Sequence, residues 1–129
     1  MKTYIPFLII ISSAILLAGC LAKAGKFKRM KAEDHIVLIN PFTVPEGKIE
    51  ESIVFWEKSR DFLKTQPGYV STKLHKSLKP DATYELINVA VWESAEAFMI
   101  ASQKMREELK IQPVDRLSSD PALYEVIRH

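Results

Sequence analysis

The sequence predicts a small α+β domain in which two helices cover one face of an antiparallel sheet. Three observations carry that reading. Four short segments alternate between side-chain types at period two, as half-buried strands do. Two further segments repeat their apolar residues at helical spacing, and proline- or glycine-centred turns punctuate the series. The resulting order is strand, helix, strand, strand, helix, strand, which is the ferredoxin-like βαββαβ arrangement. This domain takes up residues 35–129, and residues 1–34 have a different character.

The first strand runs from His35 to Phe42, with Ile36, Leu38, Asn40 and Phe42 on one face and Val37 and Ile39 on the other. Thr43 to Gly47 turn the chain, and Pro45 and Glu46 suit the first turn of a helix that runs to about Thr65. Ile49, Ile53, Trp56 and Leu63 form its apolar stripe, widened by Phe55 and Phe62, so Trp56 reads as core. Gln66-Pro67-Gly68 stops the helix. In the second strand, Tyr69 to Ser77, Val70, Thr72 and Leu74 oppose Tyr69, Ser71, Lys73, His75 and Ser77. A turn at Lys79-Pro80-Asp81-Ala82 joins it to the third strand as a hairpin. Ser94 is a natural N-cap for a helix from Ala95 to about Leu109, with a thinner stripe of Phe98, Ala101, Met105 and Leu109. Residues 114–121 form a loop, and Ala122 to Arg128 is the last strand.

The third strand, Tyr84 to Trp92, organises the rest. Ile87, Val89 and Val91 form a uniform apolar face, expected under the helices, while Leu86, Asn88, Ala90 and Trp92 point the other way. An amide among apolar neighbours needs a partner, because burying it unpaired costs about 1–3 kcal/mol. On this reading Leu38, Phe42, Tyr69, Leu86, Trp92, Leu123 and Ile127 share the uncovered face. So large an apolar patch calls for a second sheet, hence an isologous homodimer enclosing a cavity.

The N-terminus gives an address. Ile5 to Ala18 is an uncharged apolar run behind Lys2. Leu17-Ala18-Gly19-Cys20 resembles the lipobox of bacterial lipoproteins, which implies a signal peptide over residues 1–19, cleavage before Cys20 and lipidation of that thiol. Leu21 after the cysteine resembles lipoproteins sent to an outer membrane, where the organism has one. The alternative is an uncleaved inner-membrane anchor, since Lys23, Lys26, Lys28, Arg29 and Lys31 follow the apolar run and cations favour the cytoplasmic side. Residues 20–34 read as a basic tether between membrane and domain.

Composition removes several function classes. A net charge of +2 from 18 basic and 16 acidic residues is too balanced for nucleic-acid binding by bulk electrostatics. A single cysteine allows neither an intrachain disulfide nor a thiolate metal cluster. No histidine–carboxylate spacing suggests a metal site, and no glycine-rich loop suggests a phosphate site.

Pro67-Gly68-Tyr69, Leu74-His75-Lys76-Ser77 and Asn88-Val89-Ala90-Val91-Trp92-Glu93-Ser94, with Phe98 behind them, resemble the antibiotic biosynthesis monooxygenase (ABM) family over about His35 to Ile127. The resemblance implies a dimeric α+β barrel. It also implies a choice of activities, since some members oxidise aromatic compounds with dioxygen and no metal or flavin, and others degrade haem. The oxidising members carry an asparagine and a tryptophan four residues apart on this strand, a spacing that Asn88 and Trp92 match. A tyrosine that follows in those enzymes falls at Phe98, which lacks the hydroxyl. The haem-degrading members place a tryptophan and a histidine on the second helix, and Ala95 to Leu109 has neither, although Asn40 matches one of their residues.

The chemistry follows from these residues. An electron-rich phenol or hydroquinone, once deprotonated, can reduce dioxygen without a cofactor. Asn88 would hydrogen-bond the developing oxyanion, Trp92 would pack the ring, and His75 would take the proton, since imidazole ordinarily titrates near neutrality. Asn40, Phe98, Leu86 and Tyr69 would line the substrate site. The structural alternative has Asn88 bonding a strand neighbour, Trp92 closing the barrel mouth and His75 lying at the surface of the hairpin. The expected function is a cofactor-independent monooxygenase of small aromatic or quinol compounds, anchored in the cell envelope. A non-catalytic small-ligand or interaction module comes second, and haem degradation third.

Overall fold

The computed structural model describes residues 35–129. The proposed signal peptide, Cys20 and the basic tether lie outside the described residues. The elements are β1 (Ile36–Thr43), α1 (Ile49–Leu63), β2 (Tyr69–Lys76), β3 (Leu86–Trp92), α2 (Ala95–Glu108), β4 (Ser118–Ser119) and β5 (Ala122–Glu125). Strands lie in the order β2-β3-β1-β4, with β5 also beside β1, and all pairs are antiparallel. This is the ferredoxin-like α+β fold.

Local chemistry explains the boundaries. Pro45 to Lys48 form a turn closed by the Lys48 N–H on the Pro45 carbonyl at 3.0 Å, and Gly47 takes the positive φ of 74° that the turn needs. The helix therefore starts at Ile49, and Pro45 and Glu46 precede it instead of filling its first turn. After α1 the chain repeats the device: Tyr69 N–H reaches the Gln66 carbonyl at 3.3 Å with Gly68 at φ 84°. Ser94 caps α2 as expected, its hydroxyl accepting from the Ala97 N–H at 3.1 Å. The last strand ends at Glu125, short of Arg128, and the expected loop before it holds the two-residue β4. Pro121 has no N–H to give a ladder, and the Asp120 N–H bridges the gap to the Pro41 carbonyl at 3.2 Å.

The two faces of the sheet are the reverse of the sequence expectation. Leu86, Asn88, Ala90 and Trp92 are buried beneath the helices, whereas Ile87, Val89 and Val91 are half-buried and look outward. On β1, Ile36, Leu38 and Phe42 are likewise inside. The core gathers Ile36, Leu38, Ala90, Trp92 and Ala101, with Leu63, Tyr69, Phe98 and Leu123 against them. The reason is volume: the indole and the long Leu86 side chain fill the space between sheet and helices, which three β-branched residues would leave hollow. A β-bulge adds to the difference. Tyr69 pairs with Trp92 and Ser71 with Val91, so Val70 is the extra residue. Beyond it Thr72 and Leu74 share the inner face with Tyr69, while Ser71, Lys73 and His75 face outward.

Candidate active site

Register places the polar residues together. Asn40 on β1 sits directly opposite Asn88 on β3, and Leu74 on β2 lies opposite Asn88 from the other side. One step along, Thr72 lies opposite Ala90. Asn88 is 8% exposed and its Oδ1 accepts a 2.6 Å hydrogen bond from the Thr72 hydroxyl. That bond fixes the amide plane and leaves its N–H₂ end for the space above the sheet.

That space is a cavity of about 260 Å³. Its floor is Leu38, Asn40, Tyr69, Thr72, Asn88, Ala90 and Trp92 from three strands. Its roof is Phe55, Trp56, Ser59, Arg60 and Leu63 from α1, and Phe98, Ser102, Met105 and Arg106 from α2. Phe42, Ser119 and Pro121 complete the wall. Trp92 is held edge-on by Tyr69 at 5.5 Å and 88° and by Phe98 at 5.6 Å and 67°. Each such contact contributes about 0.5–1.5 kcal/mol beyond burial, so the indole is locked. Two polar atoms in this wall, Asn40 Oδ1 and Trp92 Nε1, are shielded from solvent and have no hydrogen-bond partner in the protein. Each costs about 1–3 kcal/mol in that state, a penalty that a ligand offering a donor to one and an acceptor to the other would relieve.

The expected site residues divide accordingly. Asn88, Trp92, Asn40, Tyr69 and Phe98 meet in one cavity within one chain, not between two sheets. Leu86 is 2% exposed and shares their face, but it does not line the cavity. His75 is elsewhere: it pairs with Ile87 on the outward face, with Nδ1 3.2 Å from the Ile87 carbonyl, and it is exposed. The β2 bulge is the cause, because it puts Thr72 in place of His75 on the same face as Tyr69. No histidine, aspartate or glutamate lines the cavity, and no metal-binding cluster is present among the described residues.

Four contributors escaped the sequence reading. Thr72 was set on the face opposite Tyr69, whereas the bulge puts both on the inner face. Trp56, read as core, lines the cavity, and the Arg60 guanidinium lies 5.0 Å above its ring. Arg60 and Arg106 bring charge to the two helix faces that roof the cavity. The signal was present for Arg60, which falls four residues after Trp56 and three before Leu63, squarely on the stripe. Arg60 also contacts Asp61 at 3.0 Å and Glu57 at 3.9 Å. Hydrogen bonds from Lys64 and then Arg60 hold the Asp61 carboxyl below its ordinary value.

Comparison with known proteins agrees with this geometry. Residues 35–107 match the family described as antibiotic biosynthesis monooxygenase. A protein from Shewanella loihica PV-4, provisionally titled a monooxygenase, shares 52% identity and a TM-score of 0.68, over 74% of this chain and 96% of its own. SnoaB of Streptomyces nogalater, a cofactor-independent oxygenase, shares the fold at 24% identity and TM-score 0.53, over 74% of this chain and 96% of its own. So does the haem-degrader MhuD of Mycobacterium tuberculosis at 20% identity and TM-score 0.56, over 73% and 97%. No curated protein matches the chain in sequence.

Proposed function

Because the chain belongs to the antibiotic biosynthesis monooxygenase family, we propose that it is a cofactor-independent monooxygenase of small aromatic or quinol compounds, acting in the cavity between its sheet and its helices. The observation that carries this reading is the pair of unpartnered atoms, Asn40 Oδ1 and Trp92 Nε1, in a wall of aromatic rings beside the oriented Asn88 amide. A cavity of about 260 Å³ suits one or two fused rings. It lies below the roughly 300–1,000 Å³ of drug-sized sites, which favours a small aromatic over a porphyrin.

The reaction needs no external reductant. A phenol with an unsubstituted ring position opposite its hydroxyl gives up four electrons to one dioxygen. One oxygen atom becomes the new quinone carbonyl, and the other leaves as water with the hydroxyl and ring hydrogens. The chain's part is to hold the ring against Trp92, to donate from Asn88 Nδ2 to the phenolate oxygen, and to exclude water with Phe98 and Trp56. With no imidazole or carboxylate in the lining, the phenolic proton passes to solvent.

Oxygen uptake with a panel of phenols and hydroquinones tests this, comparing the wild type with Asn88→Ala and Trp92→Phe. At least tenfold lower turnover in both variants is expected, and equal turnover in all three would remove these residues from the mechanism. Ligand-induced thermal stabilisation without product would favour the non-catalytic binding module instead.

Two further parts belong to the proposal. The outward sheet face, with Val37, Ile39, Val89 and Val91 half-buried and Tyr124 50% exposed, is the surface on which two copies would pair. The lipobox-like Leu17-Ala18-Gly19-Cys20 supports an envelope lipoprotein, and radiolabelled palmitate incorporation lost in Cys20→Ser would establish it. No helix among the described residues is long and apolar enough to cross a membrane.

A further inference from the structure

We infer that the ligand of this cavity is an aromatic carboxylate, its ring on the floor and its anionic group held on the helix side by Arg60 and Arg106. The inference rests on the reading that the cavity binds a small aromatic, and adds the substituent that the ligand carries.

The argument is one of charge. The lining contains two guanidinium groups, one from each helix, and no carboxylate, lysine or histidine. Arg60 is half-buried in the wall and Arg106 stands exposed at its edge, so the two give the cavity a positive mouth whose charge an anion would compensate. Arg60 has part of that compensation from Asp61 and Glu57 on its own helix, and it rests on the face of Trp56. Arg106 has none: it forms no ion pair among the described residues. The carboxylates nearest to it in sequence are engaged, Glu107 with Gln103 at 2.8 Å and Glu108 with Lys104 at 4.0 Å. A guanidinium presents a planar fork of donors whose natural counterpart is a carboxylate. The hydroxyls of Ser59 and Ser102, on the same two helices, add polar partners at that end of the cavity.

The chain itself supplies the probe for the test. It has two tryptophans, Trp56 and Trp92, and both line the cavity, so intrinsic fluorescence reports directly on occupancy. The full chain is titrated at pH 7 with 2-naphthoate and with its neutral isostere 2-naphthamide, in wild type, Arg106→Gln and the Arg60→Gln/Arg106→Gln pair. The expected result is naphthoate binding about tenfold to a hundredfold tighter than the amide, the range of a hydrogen bond to a charged group. That advantage, read as the ratio of the two affinities, falls to threefold or less in the double variant. Arg106→Lys, which keeps the charge and loses the fork, retains only part of it and covers the case of a poorly folding glutamine variant. Equal binding of the two ligands, or an advantage that survives the double substitution, overturns the inference and leaves the aromatic site standing. Quenching by neither ligand overturns the aromatic site and the inference together.

Discussion

Thr72→Val is the most informative single change in this domain. Valine keeps the shape and the β-branched backbone preference of threonine and deletes only the hydroxyl that donates to Asn88 Oδ1 at 2.6 Å. Asn88 is 8% exposed, so water does not readily replace the lost donor. The cost is then the desolvation of a stranded buried acceptor, about 1–3 kcal/mol, and not the smaller net worth of a hydrogen bond. For a domain of this size the unfolding entropy is about 0.2 kcal/mol/K, so the melting midpoint falls by about 5–15 °C. A double-mutant cycle completes the argument. Asn88→Leu in the Thr72→Val background removes both members of the pair in nearly the same volume, and it is expected to recover most of the loss. Urea unfolding of the wild type, the two single variants and the double variant measures the coupling. Strict additivity, or a Thr72→Val variant within about 0.3 kcal/mol of wild type, would refute the claim that this hydroxyl orients the amide.

The remaining predictions concern packing. Leu86→Ala, at a side chain 2% exposed, should cost about 2–5 kcal/mol in urea unfolding and leave 2-naphthoate affinity unchanged at a temperature where the variant is folded. A changed affinity would return Leu86 to the ligand site. Gly68→Ala meets two obstacles, a φ of 84° and an added methyl only 2.5 Å from the Ala97 Cβ, so a loss of about 2–4 kcal/mol is expected by the same measurement.

The order of elements and the identity of the turns were legible because they depend on local signals: Ser94 before an apolar period, Pro67-Gly68 after one, and Pro80-Asp81 inside a hairpin. Orientation was not local. Periodicity sorts β3 into two sets of side chains but carries no label for the side on which the helices lie. The uniform set Ile87, Val89 and Val91 reads as core, yet packing selects the set with the larger payload, Leu86 and Trp92. The site followed the same division. Asn88 and Trp92 stood out as an amide and an indole in an apolar strand, and Asn40 drew attention through the family resemblance. Register alone brings Asn40 opposite Asn88, and register is a tertiary fact. His75 failed because one bulged residue upstream, which no residue type announces, reversed the strand's phase.

That extra residue at Val70 has a consequence for which side chains the chamber receives. Upstream of it the strand contributes Tyr69 to the same wall as Thr72, two positions that strict alternation would send to opposite sides. Deleting Val70 would leave Thr72 and Leu74 beneath the helices, since Tyr69, Ser71 and Thr72 would then alternate regularly, whereas a regular strand that kept every residue would turn Ser71, Lys73 and His75 toward the chamber. The one surplus residue is what keeps a cation and an imidazole out of the chamber.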